Sequence, residues 1–127
     1  MVSQLLPDHF AFYGSLRRGM HNYTLFAEGL EYRYSAWIPG YRMYALEEYP
    51  CVVKSGPESK ILVDIMKAAD TVWRDRIHHF ELDAGYRYEV IQVAGQSLIV
   101  YYFEKPPNDH LVNSGDWVTF FRQLRGV

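Results

Sequence analysis

The sequence predicts an α+β domain built on a mostly antiparallel, strongly curved sheet or small β-barrel, with one or two helices and a cavity at its mouth. Three observations carry this. Short runs of β-branched and aromatic residues recur between Gly and Pro punctuation. The hydrophobic period switches to a helical one over a single stretch near residues 70–80. Strands and helices do not alternate as they would in a doubly wound sheet. The 127 residues suit one domain, taken as 1–127. Aromatic residues reach 17%, with 11 Tyr, which suits both strands and a cavity with polar tips.

The first expected strand is His9 to Tyr13, ended by Gly14. A short helical stretch, His21 to Glu28, stops at Gly29. Strands follow at Glu31 to Ile38 and Tyr41 to Leu46, and Ser55 to Ser59 forms a turn at a hairpin tip before the strand Lys60 to Met66. Asp70 caps a helix running to about Phe80, with Trp73, Ile77 and Phe80 as one apolar stripe. Tyr86 to Val93 and Ser97 to Glu104 flank Ala94-Gly95-Gln96 as a hairpin. The stretch Lys105 to Asp109 breaks the pattern, and a last helix, Asn113 to Leu124, is capped by Asn113 or Ser114.

Charge and composition exclude several function classes. Thirteen basic and 15 acidic residues give a net charge of −2, which argues against nucleic acid held on a basic face and against a polybasic membrane surface. The apolar stretch around Leu98 to Phe103 is too short to span a bilayer. Met1 to Asp8 lacks the basic and apolar regions of a signal peptide. The single cysteine, Cys51, excludes an intrachain disulfide and fits a cytoplasmic address. Nothing in the chain sets an oligomeric state.

Two places invite chemistry. The run Tyr13-Gly14-Ser15-Leu16-Arg17 follows a strand directly. A glycine there lets successive N–H groups turn toward a carboxylate or an oxyanion, although Gly-Ser after a strand is commonly a plain turn. Arg17 either binds an anionic group or is a solvated loop charge. Glu81 ends the central helix, where it is either a solvated carboxylate or, facing an aromatic cavity, a general base and acid. The adjacent His78 and His79 point in different directions and have no CxxC partner, so no metal site and no cofactor are expected. Ser15 lacks a GxSxG setting and is not expected to be a nucleophile.

Four segments in order resemble a known family. Phe10 to Gly19 (FAFYGSLRRG) looks like the N-terminal signature of the γ-glutamylcyclotransferase-like proteins, the AIG2-like or BtrG-like group. Pro39 to Val53, Ile61 to Val93 and the Ser114-Gly115-Asp116-Trp117 run are similar to later family segments. Asp64 stands where the family pattern has Gly, His78 where it has Asp, and Leu82 where it has Gly. The resemblance implies a cofactor-independent reaction on a small γ-glutamyl substrate, releasing 5-oxoproline and a free amine by attack of the substrate's own α-amine. It implies Glu81 as the acid/base, with Tyr13, Gly14, Ser15, Leu16, Arg17, Tyr86 and Tyr88 around the substrate. A non-catalytic ligand- or partner-binding domain on the same fold is the alternative.

Overall fold

A computed structural model describes residues 6–124. In chain order the elements are β1 (His9–Phe12), α1 (Tyr23–Phe26) with a 3₁₀ turn at Ala27–Gly29, β2 (Leu30–Pro39), β3 (Tyr41–Ala45), β4 (Pro50–Lys54), β5 (Lys60–Ala68), α2 (Thr71–Asp83), β6 (Arg87–Val93), β7 (Gln96–Tyr102) and α3 (Trp117–Leu124). The α+β expectation holds. The sheet stays open rather than closing into a barrel: five strands run in the order β2-β5-β1-β7-β6, and β3 and β4 form a separate two-stranded sheet. All pairings are antiparallel except β1 with β7, where Phe10 sits opposite Ile99.

β1 is short but central, and its alternation is apolar on both faces. Phe10 and Phe12 pack into a cluster with Leu16, Phe26, Met66, Ile77 and Ile99, under α1 and α2. Ala11 and Tyr13 face the other cluster, with Met43, Val52, Ile65, Val100 and Trp117. A strand buried on both sides reads as continuous hydrophobicity, which is what His9 to Tyr13 displays. The β3–β4 hairpin covers this second face, packing against β5 and β7, and is tied to the end of β7 by Phe103 N–H donating to the Val52 carbonyl at 2.8 Å.

Several local details differ from the sequence expectation. Pro50 to Lys54 is a strand in its own right, paired with β3. The β6–β7 turn is the two residues Ala94 and Gly95, both at positive φ, with Val93 opposite Gln96; this is the conformation that two-residue hairpins demand. The last helix starts at Trp117, and Asp116 rather than Asn113 or Ser114 sits at its start. Asp116 accepts from the Thr119 amide at 3.3 Å and from the Thr119 hydroxyl at 2.8 Å. Gly115 has φ +69, and a Cβ there would run into the Lys60 carbonyl. Its own carbonyl accepts from the Leu62 amide at 2.9 Å. The Ser114-Gly115-Asp116-Trp117 run thus locks the C-terminal segment onto β5 and seats Trp117, fully buried, in the core. Among the described residues no helix is long and apolar enough to cross a membrane.

Trp117→Ala removes the largest fully buried side chain and should cost about 3–5 kcal/mol of stability. Leu124→Ser, at a site 64% exposed, should stay within about 0.5 kcal/mol. Urea unfolding followed by circular dichroism compares the two, and equal midpoints would refute the account of the C-terminal lock.

Candidate active site

The loop after β1 is shaped from beneath. Arg17 is buried, with Nη1 3.0 Å from the Asp116 carboxylate and Nε 3.5 Å from Asp64, the latter an ion pair without hydrogen-bond alignment. Asp64, buried on β5, also accepts from the Arg18 amide at 3.0 Å and from the Ser35 hydroxyl at 2.8 Å. Burial works against an ionised Asp116, but the Thr119 and Arg17 hydrogen bonds outweigh it and hold that carboxyl below its ordinary value. The Arg18 guanidinium stacks over the Tyr32 ring. Arg17 therefore serves the loop from its inner side and lies outside the cavity lining, contrary to a role in contacting substrate.

Above this anchor the chain turns tightly. The Arg17 amide donates to the Gly14 carbonyl at 2.9 Å and the Tyr23 amide to the Ser15 carbonyl at 3.1 Å. Asn22 donates to the Ser15 hydroxyl at 2.8 Å. With these carbonyls satisfied, the amides of Gly14, Ser15 and Leu16 have no acceptor among the described residues. Gly14 is required for packing: a Cβ there would lie 2.7 Å from Pro50 Cδ, a rigid ring.

A cavity of about 270 Å³ opens at the carboxyl end of β1, bounded by this loop, Pro50, the end of α2 and Tyr101. That is close to the lower end of small-molecule sites, roughly 300 Å³. Of the residues that the resemblance places around a substrate, Tyr13, Gly14, Ser15, Leu16 and Tyr86 line it, together with Glu81. Tyr88 does not; its ring packs edge-on against His78, with centroids 4.6 Å apart. The lining also includes Tyr49 and Phe80, which lie within the family-like segments, and Asn22 and Tyr101, which no motif marked.

Glu81 is the only carboxylate in the lining, and no Lys, Arg or His joins it among the described residues. α2 delivers it. Asp70 accepts from the Trp73 amide at 2.9 Å to start the helix, and Gly85, at φ +98, turns the chain after it. Trp73 lies flat on Gly29, leaving no room for a Cβ there. Surrounded by Tyr13, Phe80, Tyr86 and Tyr101, the Glu81 carboxyl is desolvated, and its pKa is raised from the ordinary 4.5 to about 8. The same burial, together with Glu81, lifts the three tyrosine hydroxyls above their usual range. Cys51 is fully buried behind the cavity, and burial pushes its thiol up to about 12, so it carries no thiolate at neutral pH.

The tyrosine hydroxyls are directed. Tyr13 donates to the Tyr101 carbonyl at 2.7 Å, and Tyr86 donates to the Pro50 carbonyl at 2.7 Å. The Tyr101 hydroxyl lies 2.8 Å from Nδ1 of buried His78. Among the described residues no three of His, Cys, Asp and Glu gather as a metal site. The cavity thus holds one protonatable carboxyl and is lined by a loop whose three amides have no acceptor among the described residues.

Fold and site together define an α+β domain with a small-molecule-sized cavity that holds one protonatable carboxyl beside the 14–16 loop. The chain belongs to the family described as gamma-glutamyl cyclotransferase, AIG2-like, whose model matches residues 10–119. No curated protein matches it. Among solved structures it is similar to an uncharacterized protein from Pyrococcus horikoshii (TM-score 0.78, 24% identity, covering 93% of this chain and 96% of that one). It is also similar to the protein ytfP from Escherichia coli (TM-score 0.69, 23% identity, 89% and 98% covered) and to an AIG2-like protein from Mus musculus (TM-score 0.68, 16% identity, 87% of each chain). At these identities the likeness is one of fold.

Two measurements follow from the site. Unfolded, Glu81 releases its proton near pH 4.5; folded, near 8. The folded chain holds the extra proton between these values, so its stability falls as pH rises across that window. Relative to Glu81→Gln, the wild type should lose stability from about pH 4.5 to about pH 8 in urea titrations; parallel curves would contradict the raised pKa. Arg17→Ala should cost about 3–5 kcal/mol, because it strands two carboxylates. Arg18→Ala, which loses only a stacking contact, should cost about 1 kcal/mol or less; comparable melting temperatures for the two variants would assign Arg17 elsewhere.

Proposed function

We propose that this chain is a γ-glutamyl cyclotransferase that releases 5-oxoproline and a free amine or amino acid from a γ-glutamyl amide. The observation that carries the reading is the single Glu81 carboxyl in an otherwise uncharged cavity, facing a loop whose amides have no internal acceptor. Family membership supports it at the level of reaction type.

In this reading the Gly14–Leu16 amides take negative charge, either the substrate's α-carboxylate or the oxyanion that develops on its γ-carbonyl. The ionised Glu81 carboxylate accepts a proton from the α-ammonium. The freed amine attacks the γ-carbonyl carbon, forming the C–N bond of a five-membered lactam. The tetrahedral intermediate collapses by breaking the bond to the leaving nitrogen, which takes a proton back from Glu81. Of the two protons the α-nitrogen sheds, one passes through Glu81 and the other goes to solvent, which protonates the released amine. No water is consumed and nothing is oxidised. The cavity walls fold the glutamyl chain so that amine and carbonyl meet; such proximity is worth up to roughly 7–11 kcal/mol in ideal cases.

A carboxyl raised to about 8 is half ionised near pH 8 and keeps a minority of carboxylate at neutral pH, so both forms are available to a group that must take and return a proton. Purified protein incubated with a panel of γ-glutamyl compounds should therefore release 5-oxoproline. Glu81→Gln should fold and lose about 10²–10⁴ in turnover. The rising limb of kcat/KM should lie near pH 8 in the wild type and vanish in the variant. Release of 5-oxoproline at wild-type rate by Glu81→Gln would remove the acid/base role. Ligand binding without any turnover would favour the non-catalytic alternative.

A further inference from the structure

Three hydroxyls surround Glu81, and two have their protons committed. Tyr13 and Tyr86 each donate to a backbone carbonyl, and the Val52 amide also engages the Tyr13 oxygen, so neither hydroxyl has a proton left for a ligand and each can offer it only a remaining lone pair. A hydroxyl has one proton and two lone pairs. The third hydroxyl, Tyr101, is 2.8 Å from His78 Nδ1. His78 lies one helical turn before Glu81, on the same face of α2.

The direction of that third bond depends on the imidazole. A ring protonated on Nε2 leaves Nδ1 as an acceptor, so Tyr101 donates to it and turns its lone pairs to the cavity like the other two. A ring protonated on Nδ1 donates to Tyr101 and frees the Tyr101 proton to point at Glu81 or the ligand. We infer that His78 is a positioning residue: in its Nε2–H form it accepts the Tyr101 proton and thereby completes, with Tyr13, Tyr86 and Glu81, an acceptor-only cage for the α-ammonium of a γ-glutamyl ligand. This deepens the cyclotransferase reading and rests on it for the identity of the ligand.

The surroundings favour the neutral imidazole. His78 is buried, and desolvation lowers its pKa; His79 lowers it further, Asp75 opposes this, and Arg74 adds the smallest lowering effect. From β6 it meets the edge of the Tyr88 ring, and from β7 the Tyr101 hydroxyl. The cage matters because the cavity holds no other charge to direct an ammonium. Oxygen lone pairs attract it, whereas a hydroxyl proton aimed inward would repel it.

The test separates this inference from the cyclotransferase reading. L-glutamine, the simplest γ-glutamyl amide, serves as probe, and its Kd is measured by NMR titration alongside 5-oxoproline release. Long-range ¹H–¹⁵N correlation should show Nε2 of His78 protonated and Nδ1 bare. His78→Ala and Tyr101→Phe should each weaken L-glutamine binding about tenfold, the scale of one hydrogen bond to a charged group. The double variant should be no worse than either single one, and His78→Asn, which keeps an acceptor near the Nδ1 position, should recover most of the affinity. Glutarate, which lacks the ammonium, should bind all five proteins alike. A proton on Nδ1, additive losses, equal losses for glutarate, or a wild type that does not bind L-glutamine would each overturn the cage. Absence of 5-oxoproline with this binding pattern intact would overturn the enzyme reading and leave the cage standing.

Discussion

One buried guanidinium holds the working part of the molecule in shape. Arg17 stands between carboxylates from β5 and from the start of α3, so it joins the N-terminal loop to elements about fifty and a hundred residues away. Each buried charge would cost several kcal/mol if left alone. Asp64 meets that cost with the Arg18 amide and Ser35 as well as Arg17, and Asp116 meets it with Thr119. Asp64 stands where the family resemblance leads one to expect a glycine, and the same anchor accommodates it: a carboxylate inside a central sheet needs a cation within reach, and Arg17 supplies one. The Gly14 and Ser15 carbonyls and the Ser15 hydroxyl are engaged within the protein, and the amides of Gly14, Ser15 and Leu16 have no acceptor among the described residues of this cavity-lining loop.

The opposite wall obeys a different economy of charge. Apart from Glu81 the lining is uncharged, and its tyrosines bring bulk and oxygen atoms without ionising. That arrangement isolates one proton-exchanging group and keeps water-like screening low around it. Pro50 is the joint between the two walls. Its carbonyl fixes Tyr86, its ring closes on Gly14, and it begins the strand that buries Cys51.

Much of this was legible in the sequence because it rests on local rules. Asp70 caps α2 and Gly85 ends it, so Glu81 could be placed at a helix end; Gly14 after an apolar strand marked the loop. What stayed hidden lies on faces where hydrophobicity gives no signal. The inner face of α2 carries Arg74, Ile77 and His78, and two of these three are polar, so the apolar stripe through Trp73 pointed slightly off the true buried side. Tyr101 read as one more strand residue, since nothing in a period-two pattern tells a packing tyrosine from one at a cavity. Strand β4 was obscured by the proline that opens it. Arg17 looked like a solvated loop charge or an anion ligand because its two partners are remote in sequence.

The parallel pairing of β1 with β7 also orders events during synthesis. β1 is only four residues long, and both of its neighbours in the sheet come from much later in the chain. A ribosome-bound fragment that stops before β7 can form hairpins but has no partner for the second edge of β1 and no Tyr101 to close the cavity. Such long-range closures are made late because the intervening chain must first give up its freedom. The pocket, which needs Tyr101 of β7 as one wall, is therefore complete only once β7 has paired with β1.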